Sequence, residues 1–172
     1  ELPTSKSSFD LDSTTADALV MQTSIGQGDT LVTPMEMALI ASAVANDGEM
    51  IKPRYVDNIV SADGQAVKTF YKESLGTVMS ESEANTLTEL MKGVVQRGTA
   101  VSLSDLPYNI AGKTGTAEHG SDGETPHSWF VGFSNADDPD IVIAVVAENG
   151  GYSSEVAVPI ARQVIEAYYA QQ

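Results

Sequence analysis

One stretch of the chain places a lysine and two threonines on a strand that glycines interrupt. Residues 111–118 read Ala-Gly-Lys-Thr-Gly-Thr-Ala-Glu, so Gly112 and Gly115 bracket Lys113 and Thr114. Glycine within a strand often marks a place where a ligand or another backbone comes close. A cation and hydroxyls presented there suit an anion such as a carboxylate, held by charge-assisted hydrogen bonds. The alternative interpretation is a turn or an edge strand with an exposed lysine, because a Lys-Thr-Gly triplet alone is common.

The composition narrows the chemistry that the rest of the chain supports. The 172 residues include 24 acidic and 9 basic side chains, for a net charge of −15, and no cysteine. This charge repels phosphates, which argues against nucleic acid as a partner and against a polybasic membrane contact. Without cysteine there is no disulfide, no thiolate metal site and no cysteine nucleophile. His119 and His127 are predicted to flank a loop as solvated side chains, and neither a metal nor another cofactor is expected.

Three predicted strands place the lysine stretch in an antiparallel sheet. The first strand covers residues 110–118, the second covers 127–134 with alternating side chains, and the third covers 140–147 as a continuous apolar run. A continuous apolar strand is predicted to be buried on both faces. The short connections predict a meander, and the helical spacing of residues 157–169 predicts a helix after it. This order predicts an α+β fold, with an antiparallel sheet of at least three strands flanked by helices.

Helices and a ribbon are predicted ahead of this sheet. Thr33, Pro34 and Glu36 predict a capped helix start, with Glu36 placed to close a capping box. The apolar body that follows predicts a helix that is buried all round. The other predicted elements are a helix over residues 14–22, a hairpin of residues 55–61 and 67–71, and a helix after the capping box of Ser80 and Glu83, with a buried stripe of Ala84, Leu87, Leu90, Met91, Val94 and Val95.

Two further side chains each allow two interpretations. Gln27 lies between two glycines in the sequence Ser-Ile-Gly-Gln-Gly of residues 24–28, which is typical of either a tight turn or a loop that lines a site. Trp129 lies on the second predicted strand and either lines the same site or packs as a buried strand residue.

The chain resembles the C-terminal half of a penicillin-binding protein transpeptidase domain of the monofunctional class B type, over residues 14–169. Several spaced motifs in one order are far more specific than any of them singly. The motifs that carry the resemblance are Ser24-Ile25-Gly26-Gln27-Gly28, Thr33-Pro34, Ala45-Asn46-Asp47-Gly48, Lys52-Pro53, Gly98-Thr99-Ala100, Ala111-Gly112-Lys113-Thr114-Gly115-Thr116-Ala117-Glu118 and Trp129-Phe130-Val131-Gly132-Phe133.

The resemblance implies a penicillin-binding, β-lactamase-like transpeptidase fold and a role for each residue of the lysine stretch. In this family a serine acyl-enzyme cross-links peptidoglycan stem peptides. Lys113 is implied to supply positive potential, and Thr114 with Thr116 to bind the terminal carboxylate of the substrate. Gly115 is implied to let the acyl group lie along the strand edge. The backbone N–H of Thr116 is implied to form one half of the oxyanion hole.

Two motifs of the family have no counterpart in this sequence. No serine has a lysine three residues later, and there is no Ser-x-Asn; Ser8 and Ser61 begin only the looser Ser-x-Asp. In the family both motifs precede the Ser-Ile-Gly-Gln-Gly loop. We therefore expect residues 1–172 to be the C-terminal portion of a single domain whose nucleophile-bearing part lies upstream, and the chain alone to be inactive.

The resemblance also implies partners and a location. The expected partners are the D-Ala-D-Ala stem peptide, β-lactams, the upstream part of the same domain and a membrane glycosyltransferase, with no nucleic acid. The expected location is the extracytoplasmic face of the bacterial cell membrane, with an anchor outside this chain. A serine β-lactamase or D,D-carboxypeptidase, and a non-catalytic β-lactam sensor, are the alternatives.

Overall fold

The computed structural model describes residues 5–120 and 123–171. Helices and short strands come first, and the longest strands follow one another in the second half of the chain. The elements in chain order are α1 (Asp17–Ser24), α2 (Pro34–Ala45), β1 (Glu49–Ile51), β2 (Asn58–Val60), β3 (Ala66–Thr69), β4 (Ser74–Thr77), α3 (Glu81–Arg97), a 3₁₀ helix (Val101–Leu103), β5 (Ala111–Ala117), β6 (His127–Phe133), β7 (Val142–Ala147) and α4 (Ala157–Tyr169).

The central sheet is an antiparallel meander in the order β5-β6-β7. Its register pairs Ala117 of β5 with His127 of β6, and Phe133 of β6 with both Ala111 of β5 and Val142 of β7. The predicted α+β fold and three-stranded sheet are therefore confirmed, and β5, which carries the lysine stretch, is an edge strand of this sheet.

Each face of the sheet has its own core. One face packs against α4 and the 3₁₀ helix, with Phe130, Leu103, Val158 and Ile165 almost fully buried. On the opposite face Val44 of α2 joins a smaller cluster with residues of β5 and β6. These two layers hold β6, the strand next to the lysine stretch, in the middle of the molecule.

The start of α2 follows the prediction, but its burial does not. The hydroxyl of Thr33 accepts the N–H of Glu36 at 3.1 Å, and Pro34 takes the first helical position. Among the described residues the Glu36 carboxylate does not return the bond, so the capping box is half formed. The prediction of burial all round is wrong, since Met35 and Ile40 are exposed. The sheet, β1 and α3 pack against one side of this apolar helix and leave the other side open to solvent.

The predictions for the other elements are correct in part. The hairpin forms from β2 and β3, and the capping box of Ser80 and Glu83 begins α3. Leu87 and Leu90, predicted to be buried, are exposed because only a narrow stripe of α3 contacts the sheet. The pairing of β1 with β4 was not predicted.

Candidate active site

The lysine stretch forms the edge strand β5, where the sequence predicted it. Side chains of a strand alternate between its two faces. Thr114 and Thr116 share one face, opposite Phe130 and Ser128 of β6, and Lys113 lies on the other face. The cation and the two hydroxyls are thus presented within four consecutive residues, but not on one face of the sheet.

Glycine is found at the two positions of the stretch for different structural reasons. A methyl group at Gly112 would lie 2.5 Å from Cζ of Phe130, so Gly112 makes room for a core ring rather than for a ligand. A methyl group at Gly115 would lie 3.2 Å from Cβ of Trp129, a much milder contact. Gly115 is only half-buried and remains the glycine that can admit another backbone to the strand.

Lys113 is exposed, and its ammonium folds back along its own strand. Its Nζ donates a hydrogen bond of 2.5 Å to the backbone carbonyl of Thr114. Within the described residues it forms no ion pair, so its charge is available to an anion or a hydroxyl that approaches the edge of β5.

The side chain of Gln27, from the loop after α1, contacts this edge of β5. Its Nε2 donates to the backbone carbonyl of Thr116 at 3.2 Å, across 89 residues of sequence. Gly26 and Gly28 on either side have positive φ, at 80° and 76°. The loop is therefore a tight turn, and it also contacts β5; that it lines a substrate site stays a prediction.

The backbone of β5 offers hydrogen-bonding groups away from the sheet. The carbonyls of Thr114 and Thr116 accept hydrogen bonds from side chains, from Nζ of Lys113 and Nε2 of Gln27. In an antiparallel pair each residue directs its N–H and its C=O to the same side. Successive residues alternate between the partner strand and the open edge. The N–H of Thr116 therefore also faces the open edge, where an extended chain or a developing oxyanion would meet it.

The hydroxyl of Thr114 is held by a residue that the sequence did not assign to the site. Thr114 is 8% exposed, and its Oγ1 lies 2.5 Å from Oγ1 of Thr99. Thr99 stands in the Gly-Thr-Ala turn after α3. This turn was recognised only as a family motif, and no periodicity in the sequence links it to β5.

Trp129 and the two histidines flank the site without joining it. Trp129 is half-buried and shares the face of Gly115, opposite which it lies in the register. His119 and His127, predicted to be solvated, are instead half-buried and stacked with ring centroids 3.8 Å apart. Backbone groups fix both rings, since Asn149 N–H donates to Nδ1 of His127 and Nε2 of His119 lies 3.0 Å from the Thr125 carbonyl.

The strand edge is an open surface, not an enclosed pocket. Two depressions of the described surface lie elsewhere, one along the outer side of α3 and the other between α2 and the start of β7. In the described parts of the chain no group of three acidic, histidine or cysteine side chains is arranged to hold a metal ion. The same residues include no helix that is long and apolar enough to cross a bilayer.

Comparison with known proteins places this arrangement in a family. The sequence model of the penicillin-binding protein transpeptidase domain matches residues 1–166. The chain belongs to this family. Its relatives are of the monofunctional class B type that the motifs indicated.

Mycobacterial proteins are among the relatives most similar to this chain. It is 36% identical over 160 residues to the peptidoglycan D,D-transpeptidase PbpA of Mycolicibacterium smegmatis, covering 87% of this chain and 32% of that protein. The ceftriaxone acyl-enzyme complex of penicillin-binding protein A from M. tuberculosis superposes with a TM-score of 0.78 at 36% identity, covering 85% of this chain and 34% of that one.

A streptococcal structure shares the fold at lower identity. Penicillin-binding protein 2B of Streptococcus pneumoniae superposes with a TM-score of 0.80 at 26% identity and covers 94% of this chain and 28% of its own. The chain thus spans about a third of the length of the curated relatives it matches.

Proposed function

We propose that this chain is the C-terminal portion of the transpeptidase domain of a peptidoglycan D,D-transpeptidase. The whole protein cross-links stem peptides through a serine acyl-enzyme and binds penicillin and other β-lactams. The observation that carries the proposal is the open edge of β5, where Lys113, Thr114 and Thr116 stand together in a member of this family. The names of the relatives, and the acyl-enzyme complexes of one of them, support it.

The nucleophile comes from a part of the same domain that precedes these residues. The absence of Ser-x-x-Lys and Ser-x-Asn from the sequence supports this assignment. Apolar side chains around the Gln27 loop support it as well: Phe9, Met21, Ile25 and Leu31 are between 66% and 78% exposed. Met21 lies on α1 and Ile25 directly after it, α1 has no buried residue, and exposed apolar surface is typical of an interface. The upstream part covers it and brings the serine to the edge of β5.

The residues of β5 then act as one wall of an acyl-transfer site. The serine oxygen attacks the carbonyl carbon between the two D-alanines, and the N–H of Thr116 donates to the oxyanion that forms. The C–N bond breaks and the terminal D-alanine leaves with the proton that the serine gave up. An amine of a neighbouring stem peptide then attacks the ester carbonyl. The new C–N bond closes the cross-link, the C–O bond to the serine breaks, and the serine oxygen regains a proton from the amine.

Lys113, Thr114 and Gly115 hold the substrate during these steps. Thr114 and Thr116 bind the terminal carboxylate, and Lys113 adds positive potential beside the serine of the missing Ser-x-Asn motif. Gly115, with no side chain, lets the acyl part of the substrate pair along the strand edge. Because peptidoglycan is the substrate, the proposed function places the protein on the extracytoplasmic side of the cell membrane, held by an anchor outside these residues. A membrane glycosyltransferase is its proposed partner.

A transpeptidation assay tests this function. The longer protein that includes this chain is incubated with a donor pentapeptide ending in D-Ala-D-Ala and an acceptor stem peptide. The expected products are free D-alanine and a cross-linked peptide, both abolished by prior treatment with penicillin G. Rapid hydrolysis of penicillin G without cross-linking would assign a β-lactamase instead. A stable penicillin G adduct without release of D-alanine would assign a non-catalytic β-lactam sensor.

A further inference from the structure

Thr99 contacts the candidate site but has no role in the proposed function. Its Oγ1 lies 2.5 Å from Oγ1 of Thr114, and within the described residues each of these hydroxyls has the other as its hydrogen-bond partner. The hydroxyl of Thr116 makes no hydrogen bond within the same residues. Of the two threonines proposed to bind the carboxylate, one therefore has its hydroxyl held by a partner before the substrate arrives, and within the described residues the other has none.

The turn that carries Thr99 is fixed on both sides. The N–H groups of Gly98 and Ala100 both donate to the carbonyl of Val94, at 3.1 and 3.2 Å, which closes the end of α3. A methyl group at Gly98 would lie 2.8 Å from that carbonyl oxygen, and Ala100 is fully buried. Thr99 thus meets Thr114 from a turn whose backbone cannot easily shift.

Hydrogen-bond polarity gives this contact a direction. A hydroxyl has one hydrogen to donate, so in a pair of hydroxyls only one can donate to the other. A carboxylate has no hydrogen and must receive one from Thr114. If Thr114 gives its hydrogen to the carboxylate, its oxygen is left to accept, and the donor in place at 2.5 Å is the hydroxyl of Thr99. Bonds in such a chain polarise and strengthen one another.

We propose that Thr99 is a positioning residue that donates its hydroxyl hydrogen to Thr114 and so directs the Thr114 hydrogen at the carboxylate of the substrate or drug. The inference rests on the proposed function, because it takes the carboxylate at Thr114 from there. It adds a residue outside β5, carried by the α3 turn, to the recognition of the terminal carboxylate.

The test replaces the hydroxyl while keeping the shape of the side chain. Thr99→Val is nearly isosteric with threonine and cannot donate, whereas Thr99→Ser keeps the donor. Acylation of the longer protein is followed with penicillin G and with its methyl ester, which lacks the charged carboxylate. Thr86→Val is the matched control, since within the described residues the hydroxyl of Thr86 bonds only its own helix, through the carbonyl of Ser82.

We expect Thr99→Val to lower the second-order rate constant of acylation by penicillin G about tenfold, mostly through weaker initial binding, because a bond to a charged group is weakened. Thr99→Ser and Thr86→Val should stay within about twofold of the parent. With the methyl ester, Thr99→Val should match the parent. Equal losses with both compounds, or no loss with penicillin G, would overturn the inference.

A variant of Thr114 distinguishes a failure of this inference from a failure of the proposed function. Thr114→Val should slow penicillin G as much as Thr99→Val or more, and the double variant should be no slower than Thr114→Val, because the two residues act as a unit. Normal acylation of Thr114→Val contradicts the proposed role of Thr114 itself. Slow acylation of Thr114→Val with normal acylation of Thr99→Val refutes only the role of Thr99.

Discussion

At the scale of single residues, the two glycines of β5 differ in what surrounds them: one lies in the packed core and the other at the open edge of the strand. Gly112 is buried, and any β-carbon there would collide with the ring of Phe130 in the main core. Gly115 is half-buried at the open edge, where a β-carbon would meet only Cβ of Trp129 at 3.2 Å. The same residue type therefore serves packing at one position and, in the proposed function, substrate access at the other.

Alanine substitutions at the two glycines should have opposite effects, one mainly on stability and the other mainly on the rate of acylation. Gly112→Ala overpacks the core and should lower the free energy of unfolding by about 2 kcal/mol. Gly115→Ala should cost less than about 1 kcal/mol but should slow acylation, because its methyl group stands where the acyl chain is proposed to lie. Urea titrations and acylation rates on both variants check this. A stable Gly112→Ala protein, or a fully active Gly115→Ala protein, would contradict these assignments.

At the scale of elements, long-range contacts hold β5 in its working position. The Gln27 loop bonds the carbonyl of Thr116, and the turn after α3 bonds the hydroxyl of Thr114. Each of these elements contributes one polar contact to the same seven-residue strand. Changes in the loop are therefore expected to alter the chemistry at β5 without changing β5 itself.

Substitution of Gln27 tests this coupling through the direction of its hydrogen bond. Gln27→Ala removes a donor to the carbonyl of Thr116 and should slow acylation about fivefold, the value of one neutral hydrogen bond. Gln27→Glu places a carboxylate, which cannot donate, against the same carbonyl and should be slower still. Acylation kinetics of the two variants with penicillin G check the order. A Gln27→Glu protein as fast as the parent would show that the loop does not hold this strand.

The contacts at the start of α3 predict how the stability contribution of Glu83 depends on pH. The hydroxyl and the backbone N–H of Ser80 both donate to the Glu83 carboxylate, which holds the pKa of Glu83 below its ordinary value of 4.5. A lowered pKa contributes stability above the ordinary pKa and loses it as the pH falls through the folded value. The difference in free energy of unfolding between the parent and Glu83→Ala should therefore be larger at neutral pH than in acid.

Denaturant titrations at both pH values measure this difference. Glu81→Ala, in the same helical turn, is the control, since the capping box is formed by Ser80 and Glu83. A Glu83→Ala difference that stays constant or grows on acidification would mean that the carboxylate does not act through the capping box.

The sequence predicted β5, β6 and β7 to within two residues at each end because the alternation along β6 and the apolar run of β7 are local signals. The burial of α2 could not be predicted in this way, since an apolar helix shows only that it can be covered, not which of its sides is covered. The contacts of Thr114 with Thr99 and of Thr116 with Gln27 join distant parts of the chain, and no periodicity encodes them.

At the scale of the whole molecule, the proposed function makes these residues one wall of a site. The described chain supplies a cation, two hydroxyls and an outward-facing N–H along an open strand edge, together with exposed apolar side chains near the loop that reaches it. Its sequence holds no serine in a Ser-x-x-Lys motif. The central claim is therefore that β5 acts on a serine carried by another part of the same domain.

Mass spectrometry of penicillin G adducts tests that claim most directly. The measurement compares the longer protein, its Lys113→Ala variant and a Lys72→Ala control. Lys72 is an exposed lysine that forms an ion pair with Glu49 on the surface. We predict one adduct on a serine outside residues 1–172, about a hundredfold slower in Lys113→Ala and unchanged in Lys72→Ala. An adduct on a serine of this chain, or full labelling of Lys113→Ala, would contradict the account.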